Sequence, residues 1–246
     1  MQGKQSKHLC TLSLFTHIFL NGVLLMKSTS NILFWITTIL VPVILILLAV
    51  RLLMSPIFVA VEYRTPNFPA DSYGFTLEER LYWADISRAY LLNSAEIEFL
   101  GDQKFADGSS LYNQRELRHM LDVKIVVRAA MFVLYGSLVC IVGLGIAARR
   151  VNLWEAYLEA LSRGGWLTVG LITAILVYLA LNFNALFVTF HRIFFEGETW
   201  IFKYSDTLIR LFPIRFWRDA FIWIGSLSLG GGLALGYFIS HSRTRD

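Results

Sequence analysis

Two histidines, His119 and His191, are the side chains in this chain best placed to move protons near neutral pH. Imidazole titrates at about pH 6.5, so it can act as a general base or a general acid. Each has an ionisable neighbour. Asp122 follows His119 at i, i+3, on the same face of a helix. A carboxylate there would orient the ring or raise its basicity. Lys124 comes two residues later, and Arg192 adjoins His191. A cation at either place would bind a phospholipid headgroup or stabilise an oxyanion. His119, His191 and Asp122 are also a conceivable metal set, ranked lower because no HExxH pairing and no zinc-type cysteine spacing is present. Neither a metal nor a cofactor is expected. The competing reading is structural, since polar residues at span ends commonly just anchor helices. His8 and His241 lie in tails, and His17 lies in an N-terminal leader.

The spacing of the two histidines does not bring them together; the elements that carry them must. The chain has 246 residues, 56% hydrophobic and 16% charged, with mean hydropathy +0.56 and net charge +4. Soluble domains carry about 25% charge, so a soluble domain and a nucleic-acid binder are both disfavoured. The deficit is concentrated. Residues 31–54, 123–147, 166–190 and 220–240 contain three charged residues, Arg51, Lys124 and Arg128. Each stretch is long enough to cross a bilayer core of about 30 Å as a helix. Pro42 is expected to kink the first. The small residues of GSLSLGGGLALG in the fourth allow close helix approach. The expected fold is an α-helical integral membrane protein with four transmembrane helices and a small extracytoplasmic domain between the first and second.

Lys and Arg in the loops set the orientation. Residues 1–30, 148–165 and 241–246 carry eight basic residues in 54, including Arg149, Arg150 and Arg163 in one short loop. Residues 55–122 and 191–219 carry eleven in 97. Both termini are therefore expected in the cytoplasm of a plasma-membrane protein. The second span then runs outside to inside and the third inside to outside, so His119 and His191 meet at the outer leaflet. Arg128, about 6 Å into the second span, either snorkels to the surface or pairs inside the bundle. Residues 1–25 read as an upstream extension or a short interfacial segment. Cys10 and Cys140 are too differently placed for a disulfide.

Within 55–122, Pro56, Pro66 and Pro69 disfavour helix, and Thr76 with Glu79 forms a capping box that starts a helix reaching about Asn93. A second helix is expected from about 112 to 147, its first turns standing clear of the membrane. The segment 191–219 is rich in aromatics, among them Phe194, Phe195, Trp200, Phe202, Phe212, Phe216 and Trp217. This suits an interfacial element, either a plain aromatic belt or a platform for lipid chains. Trp200 could pack against acyl chains, while Asp206 could satisfy a buried polar contact.

Two motifs carry a resemblance. Glu116-Leu-Arg-His119-Met-Leu-Asp122-Val-Lys124 enters the second span. The segment from His191 to Trp217 contains Trp200, Asp206 and the tail Leu-Ile-Arg-Leu-Phe-Pro-Ile-Arg-Phe-Trp. Together, over about residues 29–240, they resemble the bacterial lipoprotein intramolecular transacylase (Lit) family of Gram-positive bacteria. The resemblance implies transfer of the sn-2 acyl chain of a diacylglyceryl lipoprotein to the α-amine of its N-terminal cysteine, giving the lyso form. It implies that His119 and His191 are the catalytic pair, that diacylglyceryl lipoproteins are the substrate, and that membrane lipids surround the reaction. One histidine would be the base and the other the acid or oxyanion donor; no serine or cysteine nucleophile is needed. Asp122, Lys124, Arg192, Trp200 and Asp206 would support or bind substrate, with Arg192 facing the oxyanion. Alternatives are a non-enzymatic scaffold, which would tolerate loss of both histidines, and a metal-dependent membrane hydrolase. A transporter is disfavoured because no internal repeat is evident.

Overall fold

The computed structural model describes residues 31–243. The leader, with His8, Cys10 and His17, lies outside the described residues. Among the described residues nine helices follow in order: α1 (Asn31–Leu53), α2 (Pro56–Glu62), α3 (Leu77–Leu92), α4 (Glu98–Gly101), α5 (Gln114–Arg150), α6 (Trp154–Leu181), α7 (Phe183–Phe194), α8 (Thr207–Leu211) and α9 (Ile214–Arg243). Apart from an isolated bridge between Lys104 and Ser110, the described chain is helix and connecting turns.

Four of these helices, α1, α5, α6 and α9, are long and apolar enough to span a bilayer. Their outward faces carry large apolar side chains, such as Phe132 at 81% and Val139 at 74% exposure on α5. Such surfaces are unfavourable in water and suit contact with lipid. The protein is thus a multi-span membrane protein. α1 remains helical through Pro42. α6 and α9 form the most intimate pair in the bundle. A Cβ at Gly165 would lie 2.7 Å from both Gly232 O and Gly236 N, so only glycine allows the two backbones to approach this closely.

The third span differs from the sequence expectation of 166–190. α6 starts at Trp154, so most of the expected 148–165 loop is helical, leaving a turn at Val151–Leu153 with Asn152 at φ 57°. α6 then stops at Asn182, whose extended backbone (φ −158°, ψ 83°) breaks the ladder. The Asn182 side chain accepts from Ala185 N and starts α7, a role for which asparagine is well suited. His191 is therefore carried on a separate twelve-residue helix rather than on a continuous span.

Residues 55–113 fold into a small lobe together with the segment 195–216. The Thr76–Glu79 capping box forms as expected, and α3 ends at Asn93. Its core joins Tyr90, Leu100, Leu111, Tyr112, Met120, Leu208 and Leu211. A second cluster joins Val59, Tyr63, Ala84 and Phe216. The aromatic segment is thus a packed part of this lobe as well as a rim. Buried polar links tie it together. Arg210 pairs with Asp71 at 2.9 Å, and the Tyr63 hydroxyl donates to Leu211 O. Burial alone would raise the Asp71 carboxyl, but bonds from Arg210 and the Phe75 amide hold it below the usual carboxylate range.

Candidate active site

α5 begins at a capping box. The Asn113 side chain accepts from Arg115 N and Glu116 N, and Glu116 returns a bond to Asn113 N. One turn further on, His119 points into the lobe and is 8% exposed. His191, near the end of α7, is also 8% exposed. The two rings lie nearly parallel, with centroids 6.3 Å apart and 22° between planes. A direct N···N hydrogen bond needs about 3 Å. The rings are too distant for that, yet close enough to act on one substrate group.

An aromatic box encloses the pair. Phe195 lies 5.0 Å from His119 and 5.6 Å from His191. Phe202 stands edge-on to His119 at 5.3 Å. Trp200 lies 4.9 Å from His191, tilted by 34°, and Phe187 is 4.1 Å away on its own helix. His191 Nδ1 is 2.8 Å from Phe187 O. A carbonyl can only accept, so Nδ1 carries the proton and the Nε2 lone pair is left to act as a base. Burial lowers the affinity of His191 for a second proton, and the bond to Phe187 only partly opposes this. The ring is therefore neutral, the form a base requires. Among the described residues, three enclosed polar atoms on the box or next to it in the chain have no protein partner: His119 Nδ1, Trp200 Nε1 and, on the residue before Trp200, Thr199 Oγ1.

The other sequence candidates divide. Asp122 is half-buried, and no hydrogen bond or ion pair joins it to His119 among the described residues. Lys124 is buried elsewhere: its ammonium donates to Asn93 Oδ1 at 3.2 Å and to Ala95 O, and sits 3.8 Å over the Tyr90 ring. It locks the end of α3 onto α5, about 140° round the helix from His119. Arg128 donates to Asn93 O at 3.3 Å and so reinforces the same joint. Arg192 is exposed, outside the box. Asp206 accepts from Asn113 Nδ2, Arg115 and the Lys203 amide, at 3.2, 3.1 and 2.8 Å. It fastens the loop bearing Trp200 and Phe202 to the start of α5.

Two acidic residues carry roles that the sequence did not assign: Glu116, which heads the first motif, and Glu62. Glu116, 1% exposed, accepts from Asn113 N at 2.8 Å and Leu208 N at 2.7 Å. It thereby sets α8 against the turn that carries His119. Its position three residues after an asparagine is the capping-box signature, so the pattern was available. Glu62, also 1% exposed, sits at the end of α2. Burial first, then the neighbouring Asp219, push its carboxyl up to about 7, against the opposing charges of Arg215 and Arg218. No local pattern marks that residue. Among the described residues, no three of His, Cys, Asp and Glu assemble as metal ligands.

Comparison with known proteins gives consistent matches. The family model of the lipoprotein intramolecular transacylase Lit matches residues 33–217. An uncharacterised protein of Aquifex aeolicus (strain VF5) is 30% identical over 202 residues, covering 80% of this chain and 88% of that one. The structure is similar to that of the membrane integral lipoprotein intramolecular transacylase Lit from Bacillus cereus. One form has a TM-score of 0.63 at 18% identity, covering 89% of this chain and all of the other. A form with a histidine-to-arginine substitution has a TM-score of 0.69 at 20% identity, covering 92% and 96%. At these identities the likeness is one of fold.

Proposed function

Because this chain belongs to the lipoprotein intramolecular transacylase (Lit) family and is an enzyme of that kind acting on lipoproteins, we propose that it moves the sn-2 acyl chain of a diacylglyceryl lipoprotein onto the α-amine of the N-terminal cysteine. The observation that carries this reading is the tautomer of His191. With Nδ1–H committed to Phe187 O, Nε2 is left as a neutral base on a ring enclosed by aromatics, its centroid 6.3 Å from that of a second imidazole.

The reaction is aminolysis of an ester whose donor and acceptor belong to one molecule. Proximity, often the largest demand on a transferase, is supplied by the substrate. The remaining work is proton handling. The amine attacks the ester carbonyl, the C–N bond forms, and His191 Nε2 takes a proton from the attacking nitrogen. His119 hydrogen-bonds the sn-2 oxygen. As the C–O bond breaks, the proton held by His191 passes to that oxygen and leaves an sn-2 hydroxyl. No covalent acyl-enzyme is required.

The loop charges favour both termini in the cytoplasm, with Arg149, Arg150 and Arg163 on the inner side. The 55–113 lobe would then be extracytoplasmic and the histidine box would lie at the outer leaflet, among membrane lipids and beside the lipidated cysteine. The test is expression in a host that makes diacyl lipoproteins, with mass spectrometry of a lipoprotein N-terminal peptide. Acyl migration to the amine is expected. It should be abolished by His119→Ala and by His191→Ala. Unchanged diacylglyceryl cysteine in the presence of folded enzyme would overturn the reading.

A further inference from the structure

We infer that the Trp200 indole N–H, seconded by the Thr199 hydroxyl, is the hydrogen-bond donor that stabilises the carbonyl oxygen of the migrating acyl group. The inference rests on the transacylase reading given above. It starts from an imbalance in the site. Indole nitrogen can only donate, and when buried it almost always finds an acceptor. Among the described residues, Trp200 Nε1 is enclosed without a protein acceptor, and so is the hydroxyl of the preceding residue. An orphaned buried donor is costly, so it points to an acceptor brought in by a ligand.

Three further observations place that acceptor at the reaction. The Trp200 ring lies against His191, with centroids 4.9 Å apart, so its N–H is beside the group that handles the amine proton. No cation is seen within the box among the described residues: Arg118, Arg192 and Lys203, which adjoin its residues in the chain, are exposed, and Lys124 holds Asn93 and Ala95 away from it. The surroundings are aromatic, with Phe187, Phe195 and Phe202, and a neutral donor gains strength where water is excluded. The loop carrying both donors is held at its far end by Asp206 on Arg115 and Asn113, so the donors are fixed before substrate arrives.

The step balances without any co-reactant. As the amine nitrogen bonds to the carbonyl carbon, the C=O π pair moves onto oxygen, where Trp200 Nε1–H and Thr199 Oγ–H bond it. The pair returns as the C–O bond to the glyceryl sn-2 oxygen breaks. Neither donor gives up its proton. The chemical class of ligand bound here is therefore an ester carbonyl on its way to an amide.

The test uses full-length enzyme and a diacylglyceryl lipoprotein, with Trp200 replaced by benzothienylalanine, which keeps the ring system and puts sulfur in place of N–H. The expected result is a fall in kcat of about 10²–10³, KM within about threefold, and an unchanged melting temperature. Thr199→Val should cost about tenfold, with Thr199→Ser restoring most of it. Trp200→Phe, which also lacks the N–H, should resemble the isostere, giving a second readout should the isostere express poorly. The acid limb of the pH profile should stay where wild type has it, because neither an indole N–H nor a threonine hydroxyl ionises in that range. An isostere as active as wild type, in an assay where wild type works and His191→Ala does not, overturns the donor role alone. No migration by folded wild-type enzyme overturns the transacylase reading and this inference with it.

Discussion

Glu116 is the residue whose replacement tests most directly how the site is held. Its carboxyl is 1% exposed and accepts two backbone N–H groups, from Asn113 at 2.8 Å and Leu208 at 2.7 Å. Hydrogen bonds to charged groups are each worth about 1.5–3 kcal/mol. Glu116→Ala removes both acceptors, so it should cost about 3–6 kcal/mol and detach α8 from the first turn of α5. Glu116→Gln keeps one carbonyl oxygen and turns an NH₂ toward the other amide. It exchanges two charged bonds for one neutral bond of about 0.5–1.5 kcal/mol, for a net loss of about 2.5–4.5 kcal/mol. The assay is amide hydrogen exchange in detergent or nanodiscs, read at Asn113 and Leu208 beside thermal unfolding. Each ~1.4 kcal/mol appears as tenfold faster exchange where opening is local, so Glu116→Gln should speed one of the two amides about 30-fold or more. Activity should fall as well, because the same contact positions His119 three residues along. If both amides keep wild-type protection in Glu116→Gln, with an unchanged melting temperature, the carboxylate is not the clamp between α5 and α8.

Other expectations follow from individual contacts. Gly165→Ala would place a Cβ 2.7 Å from the Gly232 carbonyl; spreading α6 from α9 should cost about 1–3 kcal/mol, seen as a lower melting temperature. Asp206→Ala should release the loop bearing Trp200 and Phe202, lowering kcat tenfold or more while leaving the four long helices intact by circular dichroism; unchanged kcat would mean that the loop holds its place unaided. Burial depresses the His191 pKa, so its Nε2 should stay unprotonated below the ~6.5 of free imidazole; an NMR titration of the His191 ring checks this, and a pKa at or above that value would remove its neutral form as the resting base. Glu62 has its folded pKa raised from 4.5 to about 7, so its stabilising share is full below about 4.5 and is lost as pH rises through 7. Glu62→Gln should flatten melting temperature against pH across that window.

The membrane architecture was legible because it depends on coarse properties. Runs such as NILFWITTILVPVILILLAV permit little other than a span, and the Thr76 box fixes the start of α3 by local hydrogen bonding alone. The break at Asn182 was not legible. It falls between apolar runs without proline or glycine, and hydropathy reads straight through Leu-Asn-Phe-Asn. Only the Asn182 side chain, by capping Ala185 N, ends one helix and begins another. The two histidines, 72 positions apart, could be brought together only through the order of the spans. The roles of their neighbours were legible only for Asp206, as a polar contact, and not its partners. Lys124 and Asp206 look alike in sequence, each an ionisable residue near a candidate histidine. In the fold, one secures the joint with α3 and the other the loop that closes over the site. Side-chain partners across 31 and 91 residues decide this, and no periodicity encodes them.

The arrangement of those clamps says what the enzyme must keep rigid. Glu116 to Leu208, Asp206 to Arg115 and Thr207 to Leu111 all join the start of α5 to the same short stretch, 206–208. None of the three touches a histidine. Each fixes the hinge from which the loop 195–206 returns over His119 and His191. The imidazoles themselves stand on helices, His119 one turn after the clamped start of α5 and His191 near the end of α7. Trp200 and Phe202 stand on a loop, and a loop keeps a ring within a few tenths of an ångström of its mark only if both ends are tied. One end is α7, ending at Phe194; the other is this triple clamp. A reaction whose partners arrive already joined makes little demand on the protein for binding order. On the reading proposed above, it leaves the protein's rigidity to be concentrated where proton transfer and charge stabilisation would need it, on the wall of the box.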